Sequence, residues 1–134
     1  MKYYSAESCK DTEELTGANI KITNTYSYTT QGLQINKAVT GEGAPTTIPN
    51  AFTFSATNKR KPSSVTTAPA FADVTNSGGT VSFAAVKFDV DGEYIYEIAE
   101  TGMNAGAAPG FSQSSEKVYA KITVTKSGTT YSSA

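Results

Sequence analysis

A chain of 134 residues with 11 basic and 12 acidic side chains, a formal net charge of -1 and no histidine fits one domain with one core. It lacks the broad basic field that phosphate neutralisation needs, which argues against nucleic acid as a partner. The absence of histidine excludes Ser-His and Cys-His catalysis and His-based metal sites, and no apolar run approaches the roughly 20 residues of a membrane span.

In chain order, MKYYSAES lacks the apolar core of a signal peptide, so any export signal or wall anchor is expected outside these residues. Cys9 is the only cysteine, cannot pair internally, and is expected as an exposed free thiol. Residues 1–16 read as a polar connector, with part of a strand at KYYSA. GANIKITNTYS, residues 17–27, alternates so that Ile20, Ile22 and Asn24 share one face and predicts a strand over 18–25. In LQINKAVTG, Leu33, Ile35 and Lys37 share a face, and a strand is predicted over 32–39. Further strands are predicted at 50–57, 70–74, 79–85, 93–100, 116–125 and 129–133, separated by turn clusters such as TGEGAP, TNKRKPSS, TNSGGT and DVDGE. No segment sustains a helical period. FAAVKF reads as a connecting segment that removes Lys87 from contention, Lys59–Lys61 as a solvated loop, and DVDG as a turn, because the later ligands of a calcium loop are missing. About eight strands at this spacing predict an all-β, immunoglobulin-like sandwich.

Three polar groups fall on apolar faces. In GEYIYEIAE, alternation places Tyr94, Tyr96, Ile98 and Glu100 together, so Glu100 points inward with the aromatic residues, as Lys37 and Asn24 do on their strands. Isolated buried amines and carboxyls are costly, and burial favours the neutral form of each. A neutral amine is a nucleophile, a carboxamide an electrophile, and a carboxylic acid between them can relay protons. The product would be a Lys–Asn isopeptide bond with loss of ammonia. Each residue also has a plainer reading: Lys37 could extend its amine past the strand end, Asn24 could start a turn, and Glu100 could be a solvated strand end.

IKITNTY, LQINKAVTG, AFTFSATN and GEYIYEIAE together resemble the signature segments of the isopeptide-forming pilin domains of Gram-positive bacteria, the Cna-B-like group that includes the streptococcal backbone pilin or T antigen. The resemblance covers most of residues 18–125. It implies an extracellular structural domain on the bacterial surface, without a cofactor or metal, that forms one bond autocatalytically and turns over no substrate. Motif by motif, it assigns the lysine role to Lys37, the catalytic role to Glu100 and the asparagine role to Asn24.

In that family the asparagine strand comes last, whereas here it comes first. Residues 1–26 are therefore expected to be an N-terminal segment carrying the last-strand motif, and residues 27–134 the sandwich. Either the chain is effectively a circular permutant, or its 18–25 strand completes a neighbouring subunit by donor-strand addition. Parallel neighbours normally need a crossover of a dozen or more residues, which favours the neighbouring subunit. The expected partners are other copies of the chain or adjacent pilin domains. The rival class is an adhesive module whose loops hold a host glycan or protein, for which the eight tyrosines supply stacking surface.

Overall fold

The structure, a computed structural model, describes residues 1–134. At the N-terminus β1 (Tyr3–Tyr4) and β2 (Glu14–Leu15) form a small antiparallel hairpin, followed by a 3-10 turn at Gly17–Asn19. The partial strand expected at KYYSA is present at Tyr3–Tyr4, and its partner Glu14–Leu15 lies at the other end of the same 1–16 segment. Cys9 is exposed and unpaired. The strand expected over 18–25 does not form, and residues 20–28 have no regular structure. An alternating segment becomes a strand only where a neighbour pairs with its backbone, and no sheet of this chain accepts it. Its alternation persists as a row of exposed apolar side chains: Ile20, Ile22, Tyr26 and Tyr28.

The rest of the chain is a sandwich. β3 (Thr29–Asn36) pairs antiparallel with β6 (Thr80–Phe88). The facing sheet has the order β5-β4-β7-β8-β9, from β4 (Phe52–Arg60), β5 (Val74–Thr75), β7 (Gly92–Met103), β8 (Lys117–Ser127) and β9 (Thr130–Ser133). Asn36, Thr80, Phe52 and Met103 lie at one end, here the upper end. Thr29, Phe88, Gly92 and Ser127 lie at the lower end.

Three expectations need correction. The strand over 70–74 shrinks to Val74–Thr75. FAAVKF belongs to β6, with Lys87 opposite Thr30. A bulge there sets Gln31 against Val86 but Leu33 against Phe83, which breaks the alternation at Ala84 and Ala85 and hides the strand from a period-2 reading. Gly32 faces the bulge, and a Cβ there would lie 2.9 Å from the Phe83 carbonyl oxygen. Lys59 and Arg60 end β4 rather than sit in a loop, and their charges meet Glu97 and Glu93.

The core forms between the sheets from Phe52 and Phe54 of β4, Val81, Phe83 and Phe88 of β6, Tyr94, Tyr96 and Ile98 of β7, and Ile122 and Val124 of β8. Rings meet edge to face, Phe88 with Tyr94 at 4.8 Å and Phe71 with Tyr96 at 4.9 Å, a geometry that adds about 0.5–1.5 kcal/mol per pair beyond area burial. The buried hydroxyls are satisfied, Tyr94 donating to the Val90 carbonyl and Tyr96 to the Pro69 carbonyl, both at 2.7 Å.

Burial pushes the Tyr96 hydroxyl from an ordinary value near 10 up to about 12. The neutral phenol is the folded form, so its contribution to stability is complete below pH 10 and declines as pH rises towards 12. Urea unfolding followed against pH is expected to show a fall in midpoint across that window, shallower in Tyr96→Phe. An identical slope in both chains would show that Tyr96 does not contribute to it.

Candidate functional site

Alternation along β7 turns Tyr94, Tyr96, Ile98 and Glu100 into the sandwich, and each is buried. Glu100 is the last of the row, at the upper end. Lys37 follows the end of β3, and its backbone N–H donates to the Gly79 carbonyl at 2.8 Å, which keeps it in line with the strand. Its side chain continues the inward face of Leu33 and Ile35.

Lys37 Nζ lies 3.2 Å from Glu100 Oε1, with the two side chains 13% and 2% exposed, and 4.4 Å from the centre of the Phe52 ring. The ring face gives the cation a second, electrostatic contact. The two carboxyl oxygens differ. Oε2 accepts the Ser114 backbone N–H at 2.8 Å, whereas Oε1 is buried without a hydrogen bond, because the close amine is poorly aligned for one. The Gln113 side chain donates to the Glu100 carbonyl at 3.2 Å and ties the 104–116 loop over the site. A buried acceptor left open is uncommon, and this one borders a groove.

That groove, about 160 Å³, runs past Ile35, Lys37, Phe54, Ile98, Glu100 and Val118. Its borders are strand edges that no other strand pairs with; towards the lower end of β3 the Ser133 hydroxyl donates to the Thr30 carbonyl at 3.1 Å. β3 is paired only on its β6 side, and β9 bonds to β8 only from Thr123 onward, leaving the Lys117–Ile122 edge free. Val118 and Tyr119 are 48% and 59% exposed there.

The structure therefore brings Lys37 and Glu100 together and leaves Asn24 apart. Asn24 is exposed in the unpaired segment. Two residues on, the Tyr26 hydroxyl donates to Asp89 at 3.0 Å, at the lower end of the sandwich and away from Lys37. Sequence reasoning missed Ser114, Gln113 and Phe52 as parts of the site. Ser114 acts through its main chain, which leaves no mark on residue identity, and Gln113 lies in a polar loop without periodicity.

A β-sandwich with a Lys–Glu pair held between its sheets, beside a groove bordered by unpaired strand edges, is consistent with the isopeptide type of domain found in Gram-positive pilins. A family model described as FctA, Spy0128-like isopeptide containing domain, matches residues 33–133, and the chain belongs to that family. It is a structural pilin domain of the cell surface that assembles with other pilin subunits. Lys37 and Glu100 fall within the matched residues and Asn24 falls before them. Comparison with curated proteins and with solved structures gave no match. No helix is long and apolar enough to cross a membrane.

Proposed function

We propose that this pilus subunit makes one Lys37–Asn24 isopeptide bond between neighbouring copies, with residues 18–25 of one copy inserted as a strand into the groove of the next and Glu100 as proton shuttle. The observation that carries the reading is the open Oε1 of Glu100, 3.2 Å from Lys37 Nζ, on a groove without a strand. Insertion would remove the remaining water, and a proton passing from ammonium to carboxylate would turn the ion pair into a neutral amine and acid. Glu100 Oε1 then donates to the Asn24 amide oxygen while Nζ attacks the carboxamide carbon. The new N–C bond replaces the C–NH2 bond, the proton released by the amine passes through Glu100 to the departing nitrogen, and ammonia leaves. No proton is consumed: the one that Glu100 took from the ammonium remains on its carboxyl when ammonia leaves, and passing it on to ammonia or water restores the carboxylate.

Chain geometry favours a neighbour over self-insertion. β3 begins at Thr29, and the span from there to Lys37 is about 26 Å of strand. The five steps from Asn24 to Thr29 reach back at most about 17 Å. The shortfall of about 9 Å would have to be met by a fully stretched lysine–asparagine linkage.

Intact mass with denaturing electrophoresis tests the reading. A ladder of multimers, each junction lighter by one ammonia, is the expected result. A monomer lighter by one ammonia would mean self-insertion, and a monomer of unchanged mass would overturn the bond itself.

A further inference from the structure

Of the remaining features, the cavity above the Lys37–Glu100 pair and the exposed tyrosine on the N-terminal arm fit each other. If the donor reading holds, on which this inference rests, Asn24 must sit at Lys37 and the register of the inserted strand is set. Side chains on one face of a strand recur about every 6.7 Å. Ile22 then lies one repeat below Asn24, at the groove walls of Ile35, Ile98 and Val118, and Ile20 one repeat further down, at the level of Leu33. Tyr26 lies one repeat above Asn24, on the same face.

At that level the receiving copy has a cavity of about 400 Å³ that begins at Lys37 and is bounded by Val39, Thr40, Phe52, Phe111 and Gln113. Its walls are apolar where Phe52 and Phe111 meet edge to face and polar along the 112–116 loop, a mixture suited to a phenol. In its own chain Tyr26 is 65% exposed, held by one hydroxyl bond to Asp89 and a tilted contact with Tyr28 at 5.8 Å between ring centres. That is a light mooring for a large ring.

The geometry points to Tyr26 of the donating copy as a plug that closes the site of the receiving copy, a positioning residue that excludes water from the Lys37–Glu100–Asn24 constellation. The ring leaves Asp89, enters the cavity beside Phe52 and Phe111, and covers the side from which solvent reaches the amine. Exclusion of water strengthens the interactions that hold the reacting groups and prevents hydrolysis.

The test uses chains limited to one role. A donor-only chain carries Lys37→Met with Glu100→Leu, a receiver-only chain carries Asn24→Ala, and covalent dimer is followed over time after mixing. Tyr26→Ala in the donor-only chain is expected to slow the dimer about 30-fold, the effect of truncating an aromatic anchor, with Tyr26→Phe at least as fast as the parent. The same Tyr26→Ala in the receiver-only chain is expected to change nothing. An equal effect in either chain would mean that Tyr26 only steadies its own subunit, and no effect in the donor would mean that the cavity takes no plug; both overturn the inference while the donor reading stands. Absence of dimer from the unsubstituted pair would overturn the two together.

Discussion

Glu100→Gln is expected to fold normally and to form the Lys37–Asn24 bond roughly 10²–10⁴-fold more slowly, the range lost with a positioned acid–base group. The substitution keeps the shape of the side chain and an oxygen for the Ser114 N–H, which now meets Oε2 at 2.8 Å, but it cannot receive a proton from Lys37 and hand it on. The loss belongs to the chemical step, so strand insertion should survive: a mixture of Glu100→Gln receiver and intact donor should still associate without covalent linkage. Time courses on denaturing gels, with circular dichroism to verify the fold, would decide it. A folded Glu100→Gln chain that cross-links at the parent rate would remove Glu100 from the mechanism. Glu100→Ala is a weaker test, since it also opens space beneath Phe52 and Lys37.

Lys37→Met in the uncross-linked monomer is expected to cost about 3–5 kcal/mol, because it leaves the Glu100 carboxylate, 2% exposed, without its counter-charge. Adding Glu100→Leu should recover most of that loss, since a buried ion pair replaced by apolar groups of similar size is often neutral or stabilising. Urea unfolding in an Asn24→Ala background, where no bond can form, isolates this term. Recovery in the double variant would mean that the pair is kept for reactivity rather than for the stability of the fold. A Lys37→Met monomer as stable as its parent would mean that the carboxyl finds water or another donor in the groove.

The parts of this arrangement that can be read from sequence are those that strand alternation fixes. Tyr94, Tyr96, Ile98 and Glu100 recur at every second position of an unbroken strand, and Lys37 follows Leu33 and Ile35 in the same way, so their common inward face is legible before any coordinates. The same rule misleads where its premise fails. Residues 18–25 alternate as well as β7 does, yet pattern states only that a face is apolar, not which edge will cover it, and in one copy none does. In β6 the bulge at Ala84 and Ala85 resets the phase, so a strand that continues to Phe88 reads as a connector. Residues 70–74 contain Phe71, which is buried, but burial comes from a loop crossing the core, and only Val74–Thr75 meets β4 in register. The Ser114 contact was invisible for a different reason: a main-chain N–H belongs to every residue except proline.

Lys37 lies one position beyond the end of β3, and the arm that carries Asn24 enters the same strand at its other end. In a fibre of copies joined in this way, the covalent route through each subunit runs only from residue 24 to residue 37, about 45 Å when extended. Tension applied to the fibre would travel along that thread from one linkage to the next. The five-stranded sheet, with most of the core, would hang beside the thread as unloaded mass, and its hydrogen bonds would not be asked to resist the pull. A fibre of this construction would break by rupture of covalent bonds, while its domains could unfold and refold around an intact line.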